Sequence, residues 1–414
     1  MQDRLQSPAV TLTLPGPTLG VVGGGQLGRM LGEAAAPLGV EVIVLDPTPD
    51  CPAAPVTRDQ IRADFDDPDG IRELADRTDV LTFEIELADP DLLDRVHEET
   101  GVPVQPDPST LRTIQDKLVQ KEALAAAGIP VPEFEAVGDA ADVCRAVERH
   151  GGVMLKAREG GYDGRGNVPV ATADAAESAF DSIGGDAMAE EFLEFERELA
   201  VIGVKGEATV RTYPTTETIH REEILRETVT PSRASRAVRE RAQAVARDIL
   251  TELDGRGVYG IELFETSEGE VLVNEIAPRP HNSGHWTIEG ATCSQFENHV
   301  RATLGWPIGE TSRRCPTAVA NLLGDVDEST VATLAGVEPV LSAPNAYLHW
   351  YGKREVRPLR KMGHLAVTGR RRDGRAGADV DEEDAPEVLD RARRLRDGLT
   401  FKQGTVEDRS EEEQ

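Results

Sequence analysis

From Thr18 to about Thr113 the chain alternates short runs of β-branched and aliphatic residues with stretches whose apolar positions recur at helical spacing. LGVVG, VEVIVLD and VLTFEIE are the apolar runs, with a helical stretch from Gln26 to Leu38 and another near Asp69 to Arg77. Strands and helices in alternation predict an open parallel α/β sheet over 18–114, because parallel neighbours need a crossover connection. The polar, proline-dotted residues 1–17 read as a loose extension. A helix in DKLVQKEALAAAG should stop at Gly128, and IPVP leads on to the strands VMLKAR and NVPVA around a glycine-rich loop. With the acidic segment AEEFLEFERELAVIGV, this predicts a small α+β lobe over 115–196. A larger α+β lobe is expected over 197–370, carrying one long helix from roughly Arg233 to Leu253. The remainder, 371–414, offers one amphipathic helix near Ala385 to Gly398 and a charged tail expected to be partly disordered.

At 414 residues the chain is too long for one ordinary core, so function is expected between domains. Acidic residues number 75 against 45 basic ones, for a formal charge of -30, which repels nucleic acid and anionic lipid. Only seven of the basic residues are lysine, and the acidic surface reads as adapted to salt, which screens the self-repulsion. Cys51, Cys144, Cys293 and Cys315 lie far apart without a CxxC spacing, as suits a reducing compartment and no structural metal. With no apolar run near the ~20 residues of a membrane span, a cytoplasmic location is expected and no membrane partner.

Gly23, Gly25 and Gly28 fit G-x-G-x-x-G between a strand and a helix, with Asp46 ending the next strand. A dinucleotide-dependent oxidoreductase is therefore one reading. The same turn could gather main-chain N–H groups around any phosphate, so the glycines leave dinucleotide and phosphorylated substrate both open.

Lys156 lies in an apolar strand, where an ammonium is costly unless an anion meets it. Directly after it, Gly160, Gly161, Tyr162, Asp163, Gly164, Arg165 and Gly166 form a connection whose glycines can fold N–H groups around phosphate oxygens. Further on, Glu262 in GVYGIELFE and Glu275 in EVLVNEIAP would face each other if Glu268 and Gly269 are a two-residue hairpin loop. Opposed like charges call for a bridging cation, and Asn274 can add a ligand, which is an oxygen set suited to Mg²⁺. Arg279, His281, Asn282, Ser283 and His285 follow as a polar cluster fit for an oxyanion. His349, Lys353, Arg354, Arg357, Arg360, Lys361 and His364 reverse the local charge and suggest a phosphate site, although a solvated basic face gives the same pattern.

Taken together, GGGQLGRML, LDPTPDCPA, LTFEIE, QDKLVQKEAL, GGYDGRG, NEIAPRPHNSGHW and YGKREVRPLRKMGH resemble the ATP-grasp superfamily, and within it the N5-carboxyaminoimidazole ribonucleotide synthetase family. The resemblance covers about Thr18 to Val367 and implies a three-domain ATP-grasp fold behind an N-terminal open parallel α/β domain. It implies ATP-dependent carboxylation of 5-aminoimidazole ribonucleotide by bicarbonate through carboxyphosphate, with ATP and Mg²⁺ as cofactors and a homodimer as the assembly. By resemblance, Lys117, Lys156 and the flap Gly160 to Gly166 meet the ATP phosphates, while Glu190, Glu191, Phe192 and Leu193 meet adenine, largely through main-chain groups. Glu198 would hold the ribose, His220 a further ATP position, and Glu262, Glu275 and Asn274 the magnesium. Arg279, His281, Asn282 and Ser283 would lie near carboxyphosphate. Gln26, Leu27, Gly28, Glu84, Tyr162, Asp163, Arg165, Lys353 and Arg360 would bind the ribonucleotide. Two positions depart from the family pattern: Leu359 where a small residue is usual, and Lys117 where arginine is common. Another ATP-grasp ligase with a different substrate is the neighbouring reading.

Overall fold

The computed structural model describes residues 13–160, 166–369 and 385–402. At the N-terminus, Asp59–Ile61, Glu41–Leu45, Thr18–Val22 and Val80–Phe83 form a four-stranded sheet in that order, every pair parallel. Apart from the edge strand Asp59–Ile61, both faces of its strands are buried, so they read as continuous apolar runs, and helices cover both sides. The helices Pro68–Asp76, Pro90–Thr100 and Pro108–Gln115 each start with proline behind an aspartate whose carboxylate accepts a first-turn N–H. Aspartate suits the cap, and the ring's missing N–H goes unneeded at the first helical position.

The small lobe is a four-stranded antiparallel sheet in the order Phe134–Val137, Ala187–Glu191, Val153–Ala157, Asn167–Val170. Helices Ala140–His150 and Ala176–Ile183 cover one face of it. Its other face is left to the large lobe and the cleft.

The largest sheet has nine strands. Its order runs Val271–Ala277, Gly257–Thr266, Phe195–Lys205, Thr216–Arg221, Ile224–Thr230, Thr317–Leu323, Lys361–Thr368 and Ala346–Trp350, with Val210–Thr212 beside Phe195–Lys205. Helix Arg236–Glu252 lays Val238, Ala242, Val245 and Ile249 at i, i+4, i+7 and i+11 against Val201, Ile261 and Val273. Helix Ala385–Arg396 packs on the far part of the same sheet, where Arg393 and Arg396 pair with the buried Glu227. Phe296 and Val300 of helix Gln295–Thr303 complete the core under helix Gln26–Ala35, tying the N-terminal domain to the large lobe. Among the described residues no helix is long and apolar enough to cross a membrane. All four cysteines are free.

Candidate active site

Helix Lys117–Ala126 brings the first cations to the cleft between the lobes. Its cap, Asp116, accepts from Leu118 N–H at 3.0 Å and forms an ion pair with Arg158, one residue beyond the strand that carries Lys156. That anchoring sets Lys117 beside Glu275, with Nζ 3.5 Å from Oε1. Lys117, Lys121, Lys156, Asn274 and Glu275 line one cavity there.

At its back sits Glu190, 3 % exposed and held between two lysines. Lys156 Nζ lies 2.6 Å from its Oε1, and Lys121 Nζ lies 2.8 Å from its Oε2. Burial works against the charge on Glu190, yet the Lys156 and Lys121 ammonium groups outweigh it and hold the carboxyl below its usual range. Lys156 also donates to Asn274 Oδ1 at 3.3 Å. Sequence reading passed over Lys121, although it follows Lys117 by four residues and so shares its helix face.

Glu262 and Glu275 do face each other across the hairpin, by a different route from the expected one. The loop holds three residues, Ser267 to Gly269, since Thr266 N–H donates to Glu270 O at 3.0 Å. Such a loop alone would slip the pairing by one. A bulge between Leu263 and Glu262 takes up Asn274 and restores the opposition. It also turns Asn274 and Glu275 into one cavity, where neighbours in a regular strand would point to opposite faces. Burial pushes the Glu262 carboxyl up to about 7, with His220 opposing and Glu275 adding to the rise. Two opposed carboxylates, that of Glu262 held this unfavourably in its ionised form, with an amide oxygen beside them, fit a hard divalent cation such as Mg²⁺.

Farther along the sheet, His220 and Glu198 form an ion pair across adjacent strands. Burial opposes a proton on His220, but Glu198 outweighs it and raises the imidazole's basicity. His281 Nε2 lies 3.8 Å from Glu262 Oε1, and its Nδ1 is 2.9 Å from the Ser283 hydroxyl. Burial, with Arg279 nearby, holds His281 neutral. Arg279 Nη2 lies 2.7 Å from Oε1 of Glu86, an N-terminal-domain residue that the motifs did not single out. Asn282 buries both polar atoms of its amide without a hydrogen-bond partner among the described residues, which suits a polar ligand in the cleft.

The glycine turn behaves differently from either expectation. The carboxylate of Glu84 accepts from Leu27 N–H and Gly28 N–H at 3.0 Å each and from Gly25 N–H. Asp46 accepts from Gly24 N–H at 2.9 Å and Thr48 N–H at 2.8 Å. A Cβ at Gly23 or Gly25 would come within 2.5 Å or 2.6 Å of Glu84, so these glycines make room for a carboxylate. The amides of Gly25, Leu27 and Gly28 are therefore taken from within the chain, which corrects the expectation that this turn cradles a phosphate with them. Asp46 is spent on the same turn, and the dinucleotide reading loses both its phosphate cradle and its ribose acid.

Lys353 donates to Gln26 Oε1 at 2.7 Å, so the segment after Trp350 does reach the N-terminal helix. Arg360 donates to Glu355 O at 2.8 Å, while Leu359 adopts φ 61°, a conformation that favours a residue without Cβ. Two histidines leave the expected groupings. His285 and His364 are both 0 % exposed and stack at 4.8 Å, and His364 stacks on His349 at 4.3 Å, so neither His285 nor His364 joins an anion site. Arg354 turns away to Asp50 at 2.9 Å. Glu191 Oε1 accepts from Glu133 N–H at 3.0 Å and the Phe192 ring lies against Gly152, so both side chains are held within the small lobe. Gly160 and Gly166 bound the flap, whose Gly161, Tyr162, Asp163, Gly164 and Arg165 lie outside the described residues, as do the expected extension up to residue 12 and tail from 403.

Three family descriptions match the chain: a ribonucleotide synthetase preATP-grasp domain over 17–115, an ATP-grasp domain over 122–296, and a phosphoribosylaminoimidazole carboxylase C-terminal domain over 317–376. The N5-carboxyaminoimidazole ribonucleotide synthase of Brucella melitensis is 41% identical over 356 residues, covering 85% of this chain and 96% of that one. The chloroplastic phosphoribosylaminoimidazole carboxylase of Vigna aconitifolia is also 41% identical, over 359 residues, but the match spans 64% of its length. An N5-carboxyaminoimidazole synthase from Aspergillus clavatus, solved with ADP and 5-aminoimidazole ribonucleotide, superposes with a TM-score of 0.82 at 35% identity, covering 92% of this chain and 98% of that one.

Proposed function

Since the chain belongs to the N5-carboxyaminoimidazole ribonucleotide synthase family of ATP-grasp ligases, we propose that it carboxylates 5-aminoimidazole ribonucleotide with bicarbonate at the expense of ATP. The observation that carries this reading is the meeting of Lys117, Lys156, Asn274 and Glu275 in one cavity between two lobes, with Glu262 opposite Glu275.

A bicarbonate oxygen attacks the γ-phosphorus and the bond to ADP breaks, which converts an unreactive anion into carboxyphosphate. The substrate amine then attacks the carboxyl carbon, the bond to phosphate breaks, and the amine proton leaves with phosphate or a neighbouring base. Lys117 and Lys156 hold the phosphates, where fixed positive charge stabilises transfer. Glu262, Asn274 and Glu275 would hold Mg²⁺, which supplies charge neutralisation on the phosphate oxygens. Arg279, steadied by Glu86, offers a guanidinium to carboxyphosphate, and His281, held neutral, adds an uncharged imidazole beside Glu262. Gln26 and Lys353 meet at the far end, where the ribonucleotide phosphate would sit, and Glu84 lies beneath that turn. Closed lobes keep water from the acyl phosphate. The family resemblance also carries a cytoplasmic homodimer, which light scattering on the purified chain checks.

ADP release decides the matter. It should require bicarbonate and 5-aminoimidazole ribonucleotide together, with one ADP for each carboxylated product; release indifferent to both would refute the assignment and point to another ATP-grasp substrate.

A further inference from the structure

We propose that Lys121 is a positioning residue for the triphosphate: by sharing the Glu190 carboxylate, it keeps the Lys156 ammonium available to ATP phosphates. This deepens the ATP-binding reading above and rests on it.

Lys121 is 2 % exposed, and an ammonium so placed is costly unless anions or carbonyls meet it. Its Nζ makes two such contacts, to Glu190 Oε2 at 2.8 Å and to Val273 O at 2.7 Å. The first belongs to the small lobe and the second to the edge strand of the large sheet, so one side chain joins a helix to both lobes. Val273 turns both main-chain groups outward from that edge, its N–H going to Pro130 O at 2.9 Å and its carbonyl to Lys121. The next residue is Asn274, the one taken up by the bulge.

Charge counting gives the role. One buried carboxylate faces two ammonium groups, with a separate oxygen for each, which leaves a surplus positive charge at the wall of the cleft. Removing Lys121 would hand the whole of Glu190 to Lys156. That would make a neutral ion pair in a poorly screened place, and a phosphate would have to break it. Burial also lowers Lys121 to about 8, opposed by the Glu190 charge, so its proton depends on that partner.

The test compares MgATP with adenosine, which lacks phosphates, by competition against a fluorescent adenine nucleotide. For Lys121→Met the Kd of MgATP should rise about tenfold or more, whereas that of adenosine should change by less than about threefold. In Lys121→Met/Glu190→Gln, the Glu190 charge that would neutralise Lys156 is gone, and MgATP affinity should return to within about threefold of the wild type. Equal losses for both ligands, or no recovery in the double variant, would overturn the proposal and leave Lys121 a packing pin. Should Lys121→Met not fold, Glu190→Gln alone decides: it should bind MgATP at least as tightly as the wild type, and a loss of about tenfold refutes the role. A wild-type chain that does not bind MgATP at all would instead refute the proposed function.

Discussion

At the residue scale, single side chains in this protein are defined by what opposes them. Glu275 is half exposed while Glu262, opposite, is more sheltered, and each carboxylate disfavours the charge on the other. Glu275→Gln should lower turnover by about two orders of magnitude or more while far-ultraviolet circular dichroism stays unchanged. Near-normal turnover would show that metal-borne neutralisation does not depend on this carboxylate. His299 tells a structural story. Its Nδ1 accepts from Val258 N–H at 3.1 Å, so Nε2 carries the proton and donates to Thr82 Oγ1 at 2.8 Å. Burial lowers this imidazole to about 3. The unfolded chain therefore takes up a proton near pH 6.5 that the folded chain refuses, and the contribution present above that pH is lost as pH falls toward 3. Urea unfolding should show His299→Gln losing about 1.4 kcal/mol less per pH unit than wild type on acidification below 6.5. Parallel pH slopes would contradict the buried neutral tautomer.

The element scale shows why the glycine turn misleads. A strand, a turn rich in glycine and a helix N-terminus describe a phosphate cradle and a carboxylate cradle equally well, because either anion can accept the free amides. Glu84, from the end of a neighbouring parallel strand, decides between them. Gly25→Ala should destabilise the fold by about 1–3 kcal/mol, since its Cβ would meet Glu84 Oε1 at 2.6 Å. Combined with Glu84→Ala the clash disappears, and a double-mutant cycle in urea should give a coupling of about 1 kcal/mol or more. Additive losses would mean that the carboxylate does not fill the turn. Similar logic governs the hairpin of Glu262 and Glu275: their opposition was legible from spacing, but the three-residue loop and the compensating bulge were not, because the two register shifts cancel.

For the whole molecule, the formal charge of -30 is the dominant long-range term. Most of the ion pairs among the described residues join arginine to carboxylates at the surface, where solvent screens each one too strongly for it to offset self-repulsion at low ionic strength. Raising KCl from about 0.1 M to about 2 M shrinks the screening length severalfold, and the melting temperature should climb by several degrees. A flat or falling melting temperature would remove the case for salt adaptation. The same scale explains how the domains hold together, since apolar residues from helix Gln295–Thr303 finish the N-terminal core and His299 of that helix bonds strands of both domains.

What the amino-acid order determined alone is whatever rests on local periodicity and on neighbours in the chain: the parallel N-terminal sheet, the two lobes' strands, and the lysine strand beside the flap. Tertiary structure decided which partner each charged group meets. Lys121 meets Glu190 and Val273 only in the folded chain, Arg279 acquires Glu86 from another domain, and His285 and His364 withdraw into a stack. The reason is that a side chain's charge state and ligand depend on burial and on groups far away along the chain, and no local pattern encodes either.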